Sequence, residues 1–181
     1  MSVNHRRALR RTMLAAIVGG AMVIGAAKPW ASVASPFGGP VISIESPVNP
    51  YDPSVRGAVL LVHTYHHGDR EHMPLTGRAE GLVDGQRRSL DLKLAKSSQA
   101  GTHALHKQWG DPGIWTLLIT ATPENHGGGS VQAAVDIGAD GGIERVRVPR
   151  TASNAYRTLT AAEIDRDLRE RAKTPMAVGA R

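Results

Sequence analysis

Apolar and polar residues alternate in short runs along most of this chain, which is the pattern of β-strands with one buried face. Residues 89–94 alternate most cleanly, and residues 115–121 and 131–137 follow the same period. Residues 57–62 are apolar on both faces, which indicates a central strand covered on both sides. The eight predicted strands are residues 41–45, 57–65, 77–83, 89–94, 103–109, 115–121, 131–137 and 143–148.

Turn-forming residues separate these runs. Asp84-Gly85 and Asp140-Gly141 are favoured hairpin turns, because glycine accepts a positive φ without steric cost. Pro47, Pro50 and Pro53 indicate a turn-rich connection that crosses from one sheet to another. Short strands at this spacing predict an all-β fold, an antiparallel β-sandwich of seven to eight strands over residues 35–149.

The faces of the alternating runs predict the core of this sandwich. Trp109 and Trp115 are the natural large anchors, because few aromatic residues occur elsewhere in the chain. The other residues expected to share the core with Trp115 are Leu90, Leu92, Leu117, Ile119, Val131, Ala133, Val135 and Ile137.

Residues 150–181 are predicted to form a linker and a short C-terminal helix. Thr160 and Glu163 have capping-box spacing, and Leu159 and Ile164 stand at hydrophobic-staple positions. The apolar stripe of this helix is narrow. It is typical of a helix that docks lightly on its own domain or frays, and a partner-binding helix is the alternative.

The N-terminal residues 1–34 have the three parts of a secretory signal. Arginines without acids are followed by fifteen apolar residues, 13–27, and then by Ser32-Val33-Ala34, where signal peptidase would cleave. A membrane span needs about 20 apolar residues, so we expect a cleaved signal helix, with an uncleaved anchor as the alternative. Arg10-Arg11 also resembles a twin-arginine export signal, so export by that pathway is an alternative to ordinary secretion. The protein is therefore expected to be periplasmic or extracellular, touching a membrane only if this segment stays attached.

Charge and cysteine content narrow the choice of function. The net charge is +6, but five of the 22 basic residues and none of the 16 acidic residues lie in residues 1–34. The remaining chain is close to neutral, so the composition gives no indication of nucleic-acid binding. The chain has no cysteine, which excludes disulfides, a lipoprotein anchor and a thiolate metal site.

No catalytic motif is present. The chain lacks H-E-x-x-H and G-x-S-x-G, and nothing in its sequence places a nucleophile against a base. The segment from Asp136 to Asp140 resembles a calcium loop, but Arg147 stands where the bidentate Glu belongs, so we interpret it as a hairpin turn. We expect no catalytic residues and no enzymatic activity.

A histidine-rich segment, residues 63–73, indicates an alternative function, which is metal binding. Imidazole binds Zn²⁺ and Cu²⁺, and thioether suits Cu⁺, so the segment is a candidate site for copper or zinc. Because side chains alternate along a strand, a common site requires the chain to leave β geometry near His66. His103 and His106 are expected on opposite faces of their strand. A solvated polar loop without metal is the other interpretation. The candidate ligands are His63, His66, His67, His72 and Met73.

Two short motifs carry a family resemblance over residues 41–148. Gly113-x-Trp115-x-Leu117, preceded by Pro74-Leu75-x-Gly77, resembles the FixH-like and carboxypeptidase-regulatory-like sandwich domains of exported bacterial proteins. The resemblance implies an immunoglobulin-like topology and an accessory role. The predicted function is therefore a non-enzymatic accessory or binding protein of the cell envelope, with an envelope protein as partner.

Overall fold

Two antiparallel β-sheets packed face to face, with one helix on the outside, make up the computed structural model, which describes residues 39–124 and 129–173. The predicted signal, residues 1–34, lies outside the described residues. The secondary-structure elements in chain order are β1 (Val41–Glu45), β2 (Ala58–His66), β3 (Asp69–Arg70), β4 (Leu75–Val83), β5 (Gln86–Leu92), β6 (Leu94–Lys96), β7 (Thr102–His106), β8 (Ile114–Ala121), β9 (Val131–Ile137), β10 (Ile143–Arg147) and α1 (Ala161–Lys173), with a 3-10 turn at Pro53–Val55.

The strand order confirms the predicted all-β sandwich. The first sheet has the order β1-β2-β7-β6, with β3 also paired to β2, and the second has the order β10-β9-β8-β4-β5. The described residues form ten strands rather than seven to eight. The additional strands, β3 and β6, have two and three residues, too few for an alternating pattern to be recognised in the sequence.

Both predicted hairpin turns are present where the sequence places them. Asp84 and Gly85 have φ values of 50° and 76° between β4 and β5, as a two-residue type I′ turn requires. Gly141 has a φ of 80° between β9 and β10. The segment that resembled a calcium loop is therefore a hairpin turn.

The space between the sheets is filled by the side chains that the alternation predicts. Trp115 is 2% exposed and its Nε1 donates to the carbonyl of Gly110 at 3.1 Å. A Cβ atom at Gly81 would lie only 2.4 Å from the Trp115 ring, so the ring lies directly on the backbone of β4. Of the predicted core residues, Leu90 is half-buried against the core and the others are buried, including Trp109, Leu92, Leu117, Ile119, Val131, Ala133, Val135 and Ile137.

The helix covers the outer face of the second sheet. Ile164 and Leu168 are buried with Ile114 of β8, and Leu82 of β4 and Leu118 of β8 pack against this group. The capping box is confirmed: Thr160 N donates to Glu163 Oε2 at 2.9 Å, and Glu163 N donates to Thr160 Oγ1 at 3.2 Å. Across the described ranges, no helix has the length and apolar character that crossing a membrane requires.

A network of charged side chains attaches this helix to the sheet. Asp136 of β9 is fully buried and accepts hydrogen bonds from Arg145 Nε at 2.7 Å and Arg147 Nη2 at 2.9 Å. Asp167 of α1 binds the same two guanidinium groups at 2.7 and 3.0 Å. Arg171 of α1 reaches back to donate to Thr116 Oγ1 at 2.7 Å. The arginines therefore bridge a buried carboxylate of the sheet and a carboxylate of the helix.

Candidate functional site

The predicted histidine segment begins on the first sheet and crosses to the second. The hairpin between β2 and β3 bends at His67, with a φ of 51°, and at Gly68, with a φ of 94°. Strand geometry therefore ends at His66, at the point where a common metal site would require it. The segment then continues through Glu71 and His72 to Met73, before β4 starts in the second sheet.

His63 is fixed on the outer face of the first sheet by two neighbouring strands. Its Nε2 lies 2.8 Å from Glu45 Oε2 on β1, and its Nδ1 lies 3.1 Å from Thr102 Oγ1 on β7. The side chain is buried, with 4% of the residue exposed. Both ring nitrogens are thus engaged, and His63 would have to give up one hydrogen bond to bind a metal ion.

The arrangement of Glu45, His63 and Thr102 has the order of an acid, a base and a hydroxyl, as in a catalytic triad. Thr102 is only 1% exposed, and its hydroxyl also contacts the carbonyl of Ala100 at 3.3 Å. A nucleophile has to meet its substrate, and this hydroxyl is closed off by its own loop. These three residues therefore hold β1, β2 and β7 in register. Sequence reasoning missed Glu45 and Thr102, because they meet His63 only through strand pairing across 18 and 39 residues.

His66 and His67 form a second group at the end of β2. His66 is buried, and its Nδ1 lies 3.6 Å from Glu71 Oε2. The exposed ring of His67 stands edge-on to it, with ring centroids 4.2 Å apart. A carboxylate and two imidazoles thus lie together at this hairpin.

His72 belongs to a third group, in which its partner is His103. The ring centroids are 5.5 Å apart and the ring planes are nearly perpendicular, at 88°. His103 is 3% exposed and its Nδ1 has no hydrogen-bond partner, whereas His72 is exposed. Burial lowers the pKa of His103, and the nearby charges of His72 and Lys96 lower it further. The neutral form of the His103 imidazole is therefore favoured.

His103 is buried within β7, whereas His106 is the exposed last residue of this strand. The two residues lie on opposite faces of β7, as predicted, with His103 paired to Val62 and exposed His106 paired to Ala58. No sequence pattern joins His103 to the segment from residue 63 to residue 73. Only the path of the chain after β3 brings His72 beside it.

The five predicted ligands are therefore divided among several places. His63 lies on the outer face of the first sheet, His66 and His67 at the hairpin, His72 beside His103, and Met73 in the main core at 3% exposure. Within residues 39–124 and 129–173, no three histidine, aspartate or glutamate side chains are grouped as a metal ion would require. The pair of His72 and His103 is the part of the cluster that retains an unpartnered buried nitrogen.

A different surface is formed by the connection between β1 and β2, residues 46–57. Asp52 caps its 3-10 turn by accepting from Ser54 N at 2.9 Å, and Val55, 2% exposed, packs on Leu61 and Ala104. Tyr51 at the tip is 91% exposed and is the one large hydrophobic side chain found exposed in the described part of the chain. A pocket of about 220 Å³ lies beside it, lined by Val48, Asn49, Pro50, Val55, Arg56, Gly57 and Ala58.

A larger pocket of about 480 Å³ opens near the C-terminal end of α1. Its walls include the Asp84-Gly85 turn, Pro112, Ile114 and Arg171. The Arg171 guanidinium is already bound to Thr116 and Asp167. The Arg171 side chain in this pocket therefore serves mainly to hold the helix on the sheet.

Comparison with known protein families, with curated proteins and with solved structures finds no match to this chain. The resemblance to FixH-like and carboxypeptidase-regulatory-like domains stays a prediction from the sequence motifs. The geometry of the described residues thus remains the basis for assigning a function.

Proposed function

We propose that this protein is a non-enzymatic, exported β-sandwich that binds another protein of the cell envelope through the connection between β1 and β2. The observation that carries the proposal is the almost complete exposure of Tyr51 at the tip of an anchored loop. Tyrosine is enriched at protein interfaces, where it supplies a large contact area together with a polar hydroxyl.

The loop that carries Tyr51 is ordered before any partner arrives. Tyr51 N donates to Asn49 Oδ1 at 3.0 Å, and Asp52 holds the following turn through Ser54. Val55 fixes the far end of the loop in a small apolar cluster on the first sheet. Because a rigid loop loses little conformational entropy on association, more of its contact energy contributes to affinity.

The pocket beside Tyr51 extends this surface. Its lining includes the apolar residues Val48, Val55 and Ala58 and the charged residue Arg56. An exposed aromatic ring near a small pocket lined by apolar residues and one arginine resembles a protein-binding hot spot. The expected partner therefore offers an apolar side chain for the recess and an acidic group for Arg56.

The remaining polar groups support an accessory role rather than catalysis. Asp136 is bound by arginines, and His63 is held between Glu45 and Thr102, so these two buried side chains stabilise the fold. Export follows from the tripartite pattern of residues 1–34. We accordingly place the protein in the periplasm or outside the cell.

Site-specific photo-crosslinking in living cells tests the binding surface. A photoreactive phenylalanine analogue replaces Tyr51, and a matched variant carries it at exposed Gln86, the first residue of β5. We expect a covalent adduct of one discrete mass from position 51 and none from position 86. Monomer alone at position 51, or the same adducts at both positions, would contradict the proposed surface.

A second candidate function is a periplasmic copper- or zinc-binding protein. The observation that favours it is the buried, unpartnered Nδ1 of His103 beside the imidazole of His72. Elemental analysis of protein purified without an affinity tag tests this candidate. A stoichiometric amount of copper or zinc supports it, and metal-free protein that also fails to take up either metal in titration excludes it.

A further inference from the structure

We infer that His72 and His103 together form a binding site for Cu⁺, with one ion held between the two imidazoles. The inference rests on the second candidate function above and names the residues and the metal for it. It differs from the sequence prediction in two ways. It adds His103, and it leaves His63, His66, His67 and Met73 out of the site.

The first argument is the state of His103. Its ring is buried on the inner face of the first sheet, 3% exposed, and Nδ1 has no hydrogen-bond partner. Buried polar atoms in proteins are nearly always bonded, because an unbonded one has lost its hydration without replacement. A ligand that bonds to this nitrogen removes that loss.

The second argument is the position of His72. A metal–imidazole bond is about 2.0 Å long, so two rings that share one ion have centroids roughly 6 Å apart. The observed separation is 5.5 Å, but the ring planes are nearly perpendicular. His72 is exposed, so its side chain is free to rotate until a nitrogen faces the same ion as His103.

The choice of Cu⁺ follows from the number and charge of the neighbouring groups. Zn²⁺ takes four ligands in its structural sites, whereas Cu⁺ is satisfied by two imidazoles in a linear arrangement. In the described ranges, no third histidine or carboxylate joins this pair. Burial and the charge of Lys96, which is paired with His103 across β6 and β7, disfavour a divalent ion more than a monovalent one.

Anaerobic competition of the full-length protein with the chromophoric Cu⁺ chelator bicinchoninate tests the inference. We expect the wild type to bind one Cu⁺, and His72→Ala to weaken binding at least 100-fold. His103→Gln is expected to weaken Cu⁺ binding to a similar extent, but His103 is buried, so this substitution also changes the core. Because His72 is exposed, His72→Ala tests the site while leaving the core intact. The matched control is His106→Ala, which removes an exposed histidine from the opposite face of β7 and is expected to change affinity less than twofold.

The possible results distinguish failure of the His72–His103 site from failure of the metal-binding function. Wild-type affinity in His72→Ala would overturn the assignment of the pair. If instead a His66→Ala/His67→Ala variant loses the ion while His72→Ala keeps it, metal binding stands and the site lies at the β2–β3 hairpin. A wild type that binds Cu⁺ more weakly than about 0.1 mM overturns both the site and the metal-binding function for this ion.

Discussion

Replacing Trp115 with alanine is expected to lower the free energy of unfolding by about 3–5 kcal/mol. The indole is buried between the sheets, lies directly on Gly81 and donates a hydrogen bond to Gly110. Alanine would leave a cavity and an unbonded carbonyl in place of these contacts. The loss is a large share of the roughly 5–15 kcal/mol that stabilises a whole domain, so it should be plain in urea titrations.

Tyr51→Ala is the matched control for this measurement. It removes an aromatic ring that is 91% exposed, so the free energy of unfolding should change by less than about 0.5 kcal/mol. An unchanged urea midpoint for Trp115→Ala would mean that the ring does not belong to the core. A large loss for Tyr51→Ala would mean that the loop is not the free surface described above.

Replacing Asp136 with alanine is expected to destabilise the fold by about 3 kcal/mol. Breaking a buried ion pair from one side costs about 3–5 kcal/mol, because the remaining charge stays desolvated. Arg145 is 49% exposed and is able to regain water, which places the loss at the lower end. The control is Asp91→Ala, which removes an exposed carboxylate from β5 and should leave stability nearly unchanged.

The pH dependence of stability is a second test of the stabilising role of Asp136. Burial raises the pKa of Asp136, but hydrogen bonds from Arg147 and Arg145 and the charges of Arg171 and Arg147 outweigh this effect. The pKa in the folded protein is therefore below its ordinary value of 3.8. A lowered carboxylate pKa stabilises the fold above pH 3.8, and this contribution is lost as the pH falls through the folded-state pKa. Asp136→Asn should flatten the acid limb of stability against pH; an acid limb as steep as that of the wild type would contradict this role.

The longer strands of both sheets could be predicted from the sequence, because burial on one face imposes a two-residue period on the apolar residues. Val131 to Ile137 and Ile114 to Ala121 show that period over seven or eight residues, and both strands were predicted within one residue of their ends. β3 and β6 were missed because they are too short to show it. The second layer of burial, by α1 over β8 and β4, could not be anticipated from a strand pattern.

Polar partners were harder to predict than apolar ones. Arg147 was recognised as unsuited to a calcium loop, but its bond to Asp136 depends on the register of β9 and β10. His103 was placed on the correct face of its strand, yet its contact with His72 depends on the path of a loop. Hydrophobic burial is non-directional and follows composition, whereas a hydrogen bond requires particular atoms to meet.

The central claim, that this is a protein of the cell envelope, is tested most directly by its N-terminus. Protein recovered from the envelope fraction of the native cells is subjected to N-terminal sequencing. We expect the sequence to start near Ser35, after the small residues Ser32-Val33-Ala34. An intact Met1 or Ser2 terminus in the membrane fraction would show an uncleaved anchor in place of the cleaved signal. Recovery of the full chain from the cytosol alone would contradict export, and with it the envelope partner proposed for Tyr51.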